Sequence, residues 1–125
     1  MTAAARRRAY SRGRHAERLA AWWLRLRGYR ILAQDFRSPV GEIDLVARRG
    51  GILAIVEVKR RDRLDSAGEA VTLRQQRRIR RAAELYIQRH PELAGLQPRF
   101  DAVLLVPRHL PQHLKDAWNA DTVLP

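Results

Sequence analysis

Two strand-forming runs, GEIDLVARR and ILAIVEVK, flank the dipeptide Gly50-Gly51, and this segment constrains the chain more than any other. The pattern predicts a β-hairpin, because a two-residue turn needs positive φ angles that glycine adopts without steric cost. With the glycines as the loop, Arg49 pairs with Ile52 and the rest of the register follows. Ile43 then meets Val58, Leu45 meets Val56 and Ala47 meets Ala54, which makes one face wholly apolar. A one-residue slip would turn one strand's residues to the wrong side, so the pattern supports this register. On the opposite face Val46 lies against Ile55, Asp44 against Glu57 and Glu42 against Lys59.

Directly opposed residues have Cβ atoms about 4.5–5.5 Å apart. Two carboxylates at that spacing repel unless a proton or a cation sits between them. Oxygen donors of this kind suit hard cations, so the pair Asp44 and Glu57 points to Mg²⁺ or Mn²⁺. Lys59, two residues beyond Glu57 on the same face, places an ammonium where it could position water or balance an attacked phosphate. The alternative is an ordinary Glu42–Lys59 ion pair beside two solvated acids. Only two of the 25 basic residues are lysines, Lys59 and Lys115, so a lysine here draws attention in a chain that otherwise uses arginine. Glu17 is the only acid among the first 34 residues. It borders the apolar side of a predicted helix and either completes the site or pairs with Arg14 or Arg18 on the surface.

The remaining chain reads in order. Residues 1–13 form a basic arm. Ala16, Leu19, Ala20, Trp23 and Leu26 recur at helical spacing from His15 to Arg27, and Gly28 stops the helix. Tyr29 to Phe36 is a short strand broken by Ser38-Pro39. Residues 60–70 form a polar loop. Val71 to Arg89 is a second helix, with Ile79, Ala82, Ala83 and Tyr86 on its apolar side. Arg99 to Val106 is a strand closed by Pro107, followed by a short helical or irregular stretch through Trp118 and a tail, 119–125. Residues 14–118 thus make one domain of the α/β class, with a mixed sheet flanked by helices. Trp22 and Trp23 are read as packing residues, as is Trp118. Asp101 is read as a strand-end hydrogen-bonder, and the four histidines show no ligand spacing with the acids.

The net charge is +12, a surplus that favours a polyanionic partner because Lys and Arg displace counterions from phosphates. Arg74, Arg77, Arg78 and Arg81 form a stripe on the second helix and, with Arg60, Arg61 and the arginines of the arm, are the candidate phosphate contacts. A solvated helix face is the alternative for the stripe. There is no cysteine, which excludes disulfide and thiolate chemistry. The apolar runs are too short to span a bilayer and no secretory leader is visible, so no membrane is expected and the cytoplasm is the expected compartment.

The segments GRHAERLAAWWLRLRGYRIL, GEIDLVA, IVEVKRR and RFDAVLLV, in this order from Gly13 to Asp116, resemble the YraN family of bacterial proteins without assigned function. That family is similar to the restriction-endonuclease-like superfamily, which includes archaeal Holliday-junction resolvases. The resemblance implies an αβββαβ core. It also implies a site made of an acid on the first helix, an aspartate on the second strand and an acid-x-lysine on the third. Those roles fall on Glu17, Asp44, Glu57 and Lys59, with Asp44, Glu57 and Glu17 as the metal set. Two departures stand out: Ile43 replaces the proline ahead of the aspartate, and Gln75 stands where such proteins usually carry a lysine.

The function expected is a metal-dependent nuclease, a phosphodiester hydrolase acting on nucleic acid, with branched or structured DNA as the candidate substrate; nothing in the sequence selects DNA over RNA. The competing readings are a nucleic-acid-binding module without turnover and an adaptor for an acidic partner. No base-reading element is visible, so cutting at a defined sequence is not expected. Assembly as a homodimer is left open.

Overall fold

The hairpin forms as its turn demands. A computed structural model describes residues 2–62 and 71–118, the side chains of 5–12 excepted. In it Gly50 takes φ 56°, and β2 (Gly41–Arg49) pairs antiparallel with β3 (Ile52–Arg60). The pairs Arg49↔Ile52, Ala47↔Ala54, Val46↔Ile55 and Leu45↔Val56 are those of the predicted register. The ladder ends at Leu45↔Val56, however, and does not continue to Glu42.

The order of elements is α1 (Ala3–Leu26), β1 (Arg30–Ser38), β2, β3, α2 (Leu73–Arg89), β4 (Gln97–Leu105) and β5 (Gln112–Leu114). The αβββαβ order is therefore present, with one strand added. The sheet order is β1-β2-β3-β4-β5, antiparallel except for the parallel β3–β4 pair that the α2 crossover permits. Sequence patterning left residues 112–114 in an irregular stretch. They form the short edge strand β5, which pairs with β4 through Ala102↔Leu114 and Leu104↔Gln112. The tail 119–125 and most of the loop 60–70 lie outside the described residues.

Each helix covers one sheet face. On the α2 side Ile79, Ala82, Ala83 and Tyr86 pack with Ile43, Val46, Leu53, Ile55 and Phe100. On the α1 side Ala20, Ala21 and Leu24 pack with Leu45, Ala47, Ala54, Val56 and Val103. Helix α1 differs from its expectation in two ways. It begins at Ala3, so the segment read as an arm is helical. Its buried side is the small one: Ala16, Ala20, Ala21 and Leu24 are buried, whereas Leu19, Trp22 and Leu26 are 41%, 52% and 61% exposed. Alanines let the helix axis approach the sheet, so the bulky residues face outward and Trp22 is not a core residue.

Helix α2 starts with a reciprocal cap. The Thr72 hydroxyl accepts from the Gln75 N–H, and the Gln75 side-chain oxygen accepts from the Thr72 N–H. The helix runs close to β2 at Gly41. A Cβ there would collide with the Arg78 carbonyl, so only glycine allows this approach.

The first two strands break alternation together. Ala33 and Phe36 on β1, and Val46 and Ile43 on β2, all pack toward α2, and they pair as Ala33↔Val46 and Phe36↔Ile43. Residues three apart cannot share a face in a regular strand. The irregularity sits where Asp35 adopts φ 54°, a left-handed conformation that aspartate tolerates better than most side chains. It moves Ile43 off the face it was expected to share with Leu45 and Ala47.

Candidate metal centre

The irregularity leaves Asp44 at the point where the β2–β3 ladder stops. Its Oδ2 accepts the backbone N–H of Val58 at 2.8 Å, so a side chain takes the place of a ladder carbonyl. Glu57, on β3, shares a hydrogen bond with Asp44, which makes the two predicted acids direct neighbours. From α1, Glu17 comes into the same clefts as Asp44, close enough for the Asp44 charge to act on it. Glu17 reaches it because it lies three and four residues from the buried Ala20 and Ala21, on the side of the helix that meets the sheet. Lys59 places its Nζ 3.2 Å from Glu57 Oε1 and 3.2 Å from Gln75 Oε1. The four residues Glu17, Asp44, Glu57 and Lys59 are thus brought to one place, with Gln75 of α2 against the lysine.

One expected contact is not made. Glu42 and Lys59 do not form an ion pair: Glu42 Oε2 accepts from Arg78 Nη2 at 2.9 Å. The reason is the early end of the ladder, which frees Glu42 from its predicted partner and leaves it across from Arg37 on β1.

The acids are held against their preference for water. Burial first, then the neighbouring Asp44 and Asp35 charges, raise the Glu17 pKa to about 7. Glu57 is raised by burial first and by the Asp44 charge second, with Lys59 opposing both. Asp44 is also raised, by burial, although the Val58 N–H, Glu57 and Lys59 pull the other way. Without a cation, the cluster therefore keeps protons into the neutral range.

Asp35 was not singled out from the sequence. In the β1–β2 register it falls opposite Asp44, between Gln34↔Leu45 and Phe36↔Ile43, and it bonds Arg37 Nε at 3.1 Å. Its strand-breaking conformation is visible only in the backbone; the acid in QDF was the one available signal.

Glu17, Asp44 and Glu57 line two adjoining clefts. One, of about 400 Å³, continues past Ala16 and Arg60. The other, of about 390 Å³, runs past Asp35, Gln75 and Arg78 toward α2. A larger hollow of about 590 Å³, between the α2 residues Ala83 and Ile87 and the β4 residues Pro98 and Phe100, holds none of these acids. Volume is a poorer guide here than chemistry. Among the described residues no three His, Asp or Glu side chains form a ready-made metal cage. Mg²⁺ does not require one, since it binds through one or two carboxylates and keeps several waters. Two contacting carboxylates, partly buried and short of positive charge, fit such an ion.

The predicted phosphate-contacting arginines divide. Arg74, Arg77 and Arg81 are exposed on α2, whereas Arg78, also exposed, is engaged by Glu42. Arg60 is exposed at the cleft mouth, and Arg61 donates from Nη1 to the Arg60 carbonyl at 2.9 Å. The side chains of the first arginines lie outside the described residues. Trp118 is buried and stacks on Phe100. Asp101 lies within β4, fully buried. It accepts from Arg99 Nε (2.9 Å) and Nη2 (2.8 Å) and from the Asp116 N–H (3.0 Å), and it contacts His113 Nε2 at 2.7 Å. This is a structural knot on the sheet and no part of the acid cluster. No helix among the described residues is long and apolar enough to cross a membrane.

The family model described as "Uncharacterised protein family UPF0102" matches residues 16–105. A UPF0102 protein of Parvibaculum lavamentivorans is 56% identical over 111 residues, 89% of this chain and 84% of the relative. One of Chelativorans sp. is 52% identical over 92% of this chain and 93% of the relative. One of Nitrobacter winogradskyi is 54% identical over 91% and 97%.

Proposed function

The chain belongs to the uncharacterised protein family UPF0102, and from its site we propose that it is a metal-dependent nuclease that hydrolyses phosphodiesters in branched or otherwise structured DNA. The observation that carries this reading is the contact between Asp44 and Glu57 with Lys59 Nζ 3.2 Å from Glu57. A binding surface gains nothing from crowding acids that repel one another and repel phosphate.

Asp44 and Glu57 are the residues to hold Mg²⁺ or Mn²⁺, with Glu17 reaching through water. The bound ion would polarise a phosphoryl oxygen and lower the pKa of a water. Lys59 supplies an ammonium with three rotatable donors, set beside the acids, where it orients water or offsets the charge that builds on the phosphate. Gln75 accepts from Lys59 and fixes its direction. The amide therefore serves as a support for the lysine rather than as a charge of its own. The exposed arginines of α2 hold the phosphate backbone near the cleft.

The test is Mn²⁺- or Mg²⁺-dependent cleavage across linear, flapped and four-way-junction DNA, with Asp44→Asn as control. Cleavage that needs both the ion and Asp44 is the expected result. Tight binding without cleavage of any substrate would replace the enzyme with a nucleic-acid-binding module.

A further inference from the structure

The turn from β4 toward β5 contains an arginine in a conformation that arginine seldom adopts. The His109 N–H donates to the Val106 carbonyl at 3.1 Å, closing a four-residue turn. Pro107 occupies its second position and Arg108 its third, with φ 67°. This is the signature of a type II turn, whose third position favours glycine or asparagine. Nothing local rewards the strain: among the described residues, no hydrogen bond or ion pair engages the Arg108 side chain. A strained residue kept without a structural partner points to a use for its side chain.

Arg108 stands on the rim of a groove of about 450 Å³ between α1, the end of β3 and this turn. Arg60 and Arg61 line the same groove, as do His15 and His109. Among the described residues, the one acid that lines it is Asp62. Its apolar lining comes from Leu19, Leu105, Val106 and Pro111. The groove shares Ala16 and Arg60 with the cleft that holds Glu17, Asp44 and Glu57, so the two form one path.

We propose that this groove holds a single-stranded segment of nucleic acid leading to the phosphate at the carboxylates, with Arg108, Arg60 and Arg61 on its backbone. The proposal rests on the nuclease reading for what lies at the end of the path. Charge complementarity selects a polyanion. The volume is that of a small-ligand pocket, enough for a nucleotide or two and too little for a duplex. An apolar lining with two imidazoles beside it suits sugars and bases, which duplex binding would leave stacked and out of reach. The second cleft runs the other way, toward α2, whose exposed Arg74, Arg77 and Arg81 offer an open surface on which a duplex can lie. A substrate with a single-to-double-strand boundary would then place that boundary at the acids.

Arg108→Gly tests this cleanly, because glycine relieves the strain that arginine imposes, so the melting temperature should hold or rise. Binding is measured with the full chain carrying Asp44→Asn, in EDTA, using labelled oligothymidylate and a blunt hairpin duplex. Arg108→Gly should weaken oligothymidylate binding by about 3–10-fold and lower the salt slope by about one, with the duplex changed less than about 2-fold. Arg108→Asn, which also tolerates positive φ but leaves the turn less free than glycine does, should repeat the result. Unchanged oligothymidylate affinity, or equal losses on both probes, overturns the groove assignment and leaves the nuclease reading standing. An Arg108-dependent preference for single strands in a protein that cleaves nothing supports the groove and ends the nuclease reading. If the parent chain binds neither probe, both fall.

Discussion

Glu57→Gln should stabilise the metal-free protein at neutral pH. The Glu57 side chain is 15% exposed, and burial first, then the Asp44 charge, move its pKa from 4.5 to about 8. A carboxyl with a raised folded pKa favours the fold at low pH. Its contribution is fully present below about 4.5 and is lost as pH rises toward about 8. At about 1.4 kcal/mol per pH unit, the interval from 4.5 to 7 corresponds to roughly 3 kcal/mol. Asp44 and Glu57 titrate as a pair, which makes roughly 1–3 kcal/mol the expected gain, or on the order of 5 °C in Tm. Glutamine is the right probe because its amide can donate to Asp44 and its carbonyl can accept from Lys59, keeping both hydrogen bonds of the protonated acid. Urea denaturation in EDTA at pH 5 and pH 7 reads the effect, which should nearly vanish at pH 5. Added Mg²⁺ should then stabilise the parent, by about 2.7 kcal/mol at one hundred times its Kd, and leave the variant unmoved. A variant less stable than the parent by the same amount at both pH values would refute the claim that the fold holds these acids against repulsion.

Lys59→Arg should spare folding and DNA affinity yet lower cleavage by about 10²-fold, on the order of 2.7 kcal/mol of barrier, because a planar fork cannot reproduce a compact ammonium between Glu57 and Gln75; full activity would mean that charge alone suffices. Replacing Arg74, Arg77, Arg78 and Arg81 together should flatten the salt dependence of duplex binding, which in the parent should fall by roughly 10³-fold between 50 and 200 mM salt if about six phosphates are engaged. Gly41→Ala should cost about 1–3 kcal/mol in chemical denaturation, since the new methyl meets the α2 backbone at Arg78. Asp101→Asn should cost about 3–5 kcal/mol at pH 7 by leaving the Arg99 charge without its buried partner. Burial alone would raise the Asp101 pKa, but its bonds to His113, Arg99 and the Asp116 N–H hold it below its ordinary value. Its stabilisation is therefore present above about 3.8 and lost as pH falls through the lower folded value; the variant's acid unfolding limb should be correspondingly flatter below pH 4.

The hairpin was legible because its turn and its patterned strands agree, and the five pairs from Arg49↔Ile52 to Leu45↔Val56 follow from that agreement. Asp44 and Glu57 as neighbours follow from the same register. The Glu42–Lys59 pair failed because strict alternation was carried past the point where the backbone departs from it. Helix α1 was located but rotated: hydrophobic size marked Leu19 and Leu26 as core, while close approach to the sheet selected the alanines. Strand β5 was missed because three residues with no periodicity are held by pairing to β4. Asp101 reads from sequence as a hydrogen-bonder at a strand end; it lies within β4, and His113 reaches it through the β4–β5 pairing that patterning did not show.

The features that pattern reading could not supply are those that build the site. A regular β1–β2–β3 sheet would carry its ladder through Asp44 and Glu57, with backbone carbonyls meeting the Val58 N–H and the acids set out on a flat face. Instead Asp35 turns left-handed, β1 and β2 change face together, and Asp44 substitutes its own carboxylate at Val58. The gap so made admits Glu17 from one sheet face and Gln75 from the other, where a closed sheet would keep α1 and α2 apart. Each departure is costly by itself: a non-glycine residue at positive φ, a shortened ladder, acids out of water. They occur at one place and in register with one another, which is how the parted end of an interior strand pair becomes a cleft. The regular pairs from Leu45 to Arg49 supply the rigidity against which that strain is held, and the irregular ones beyond them supply the chemistry.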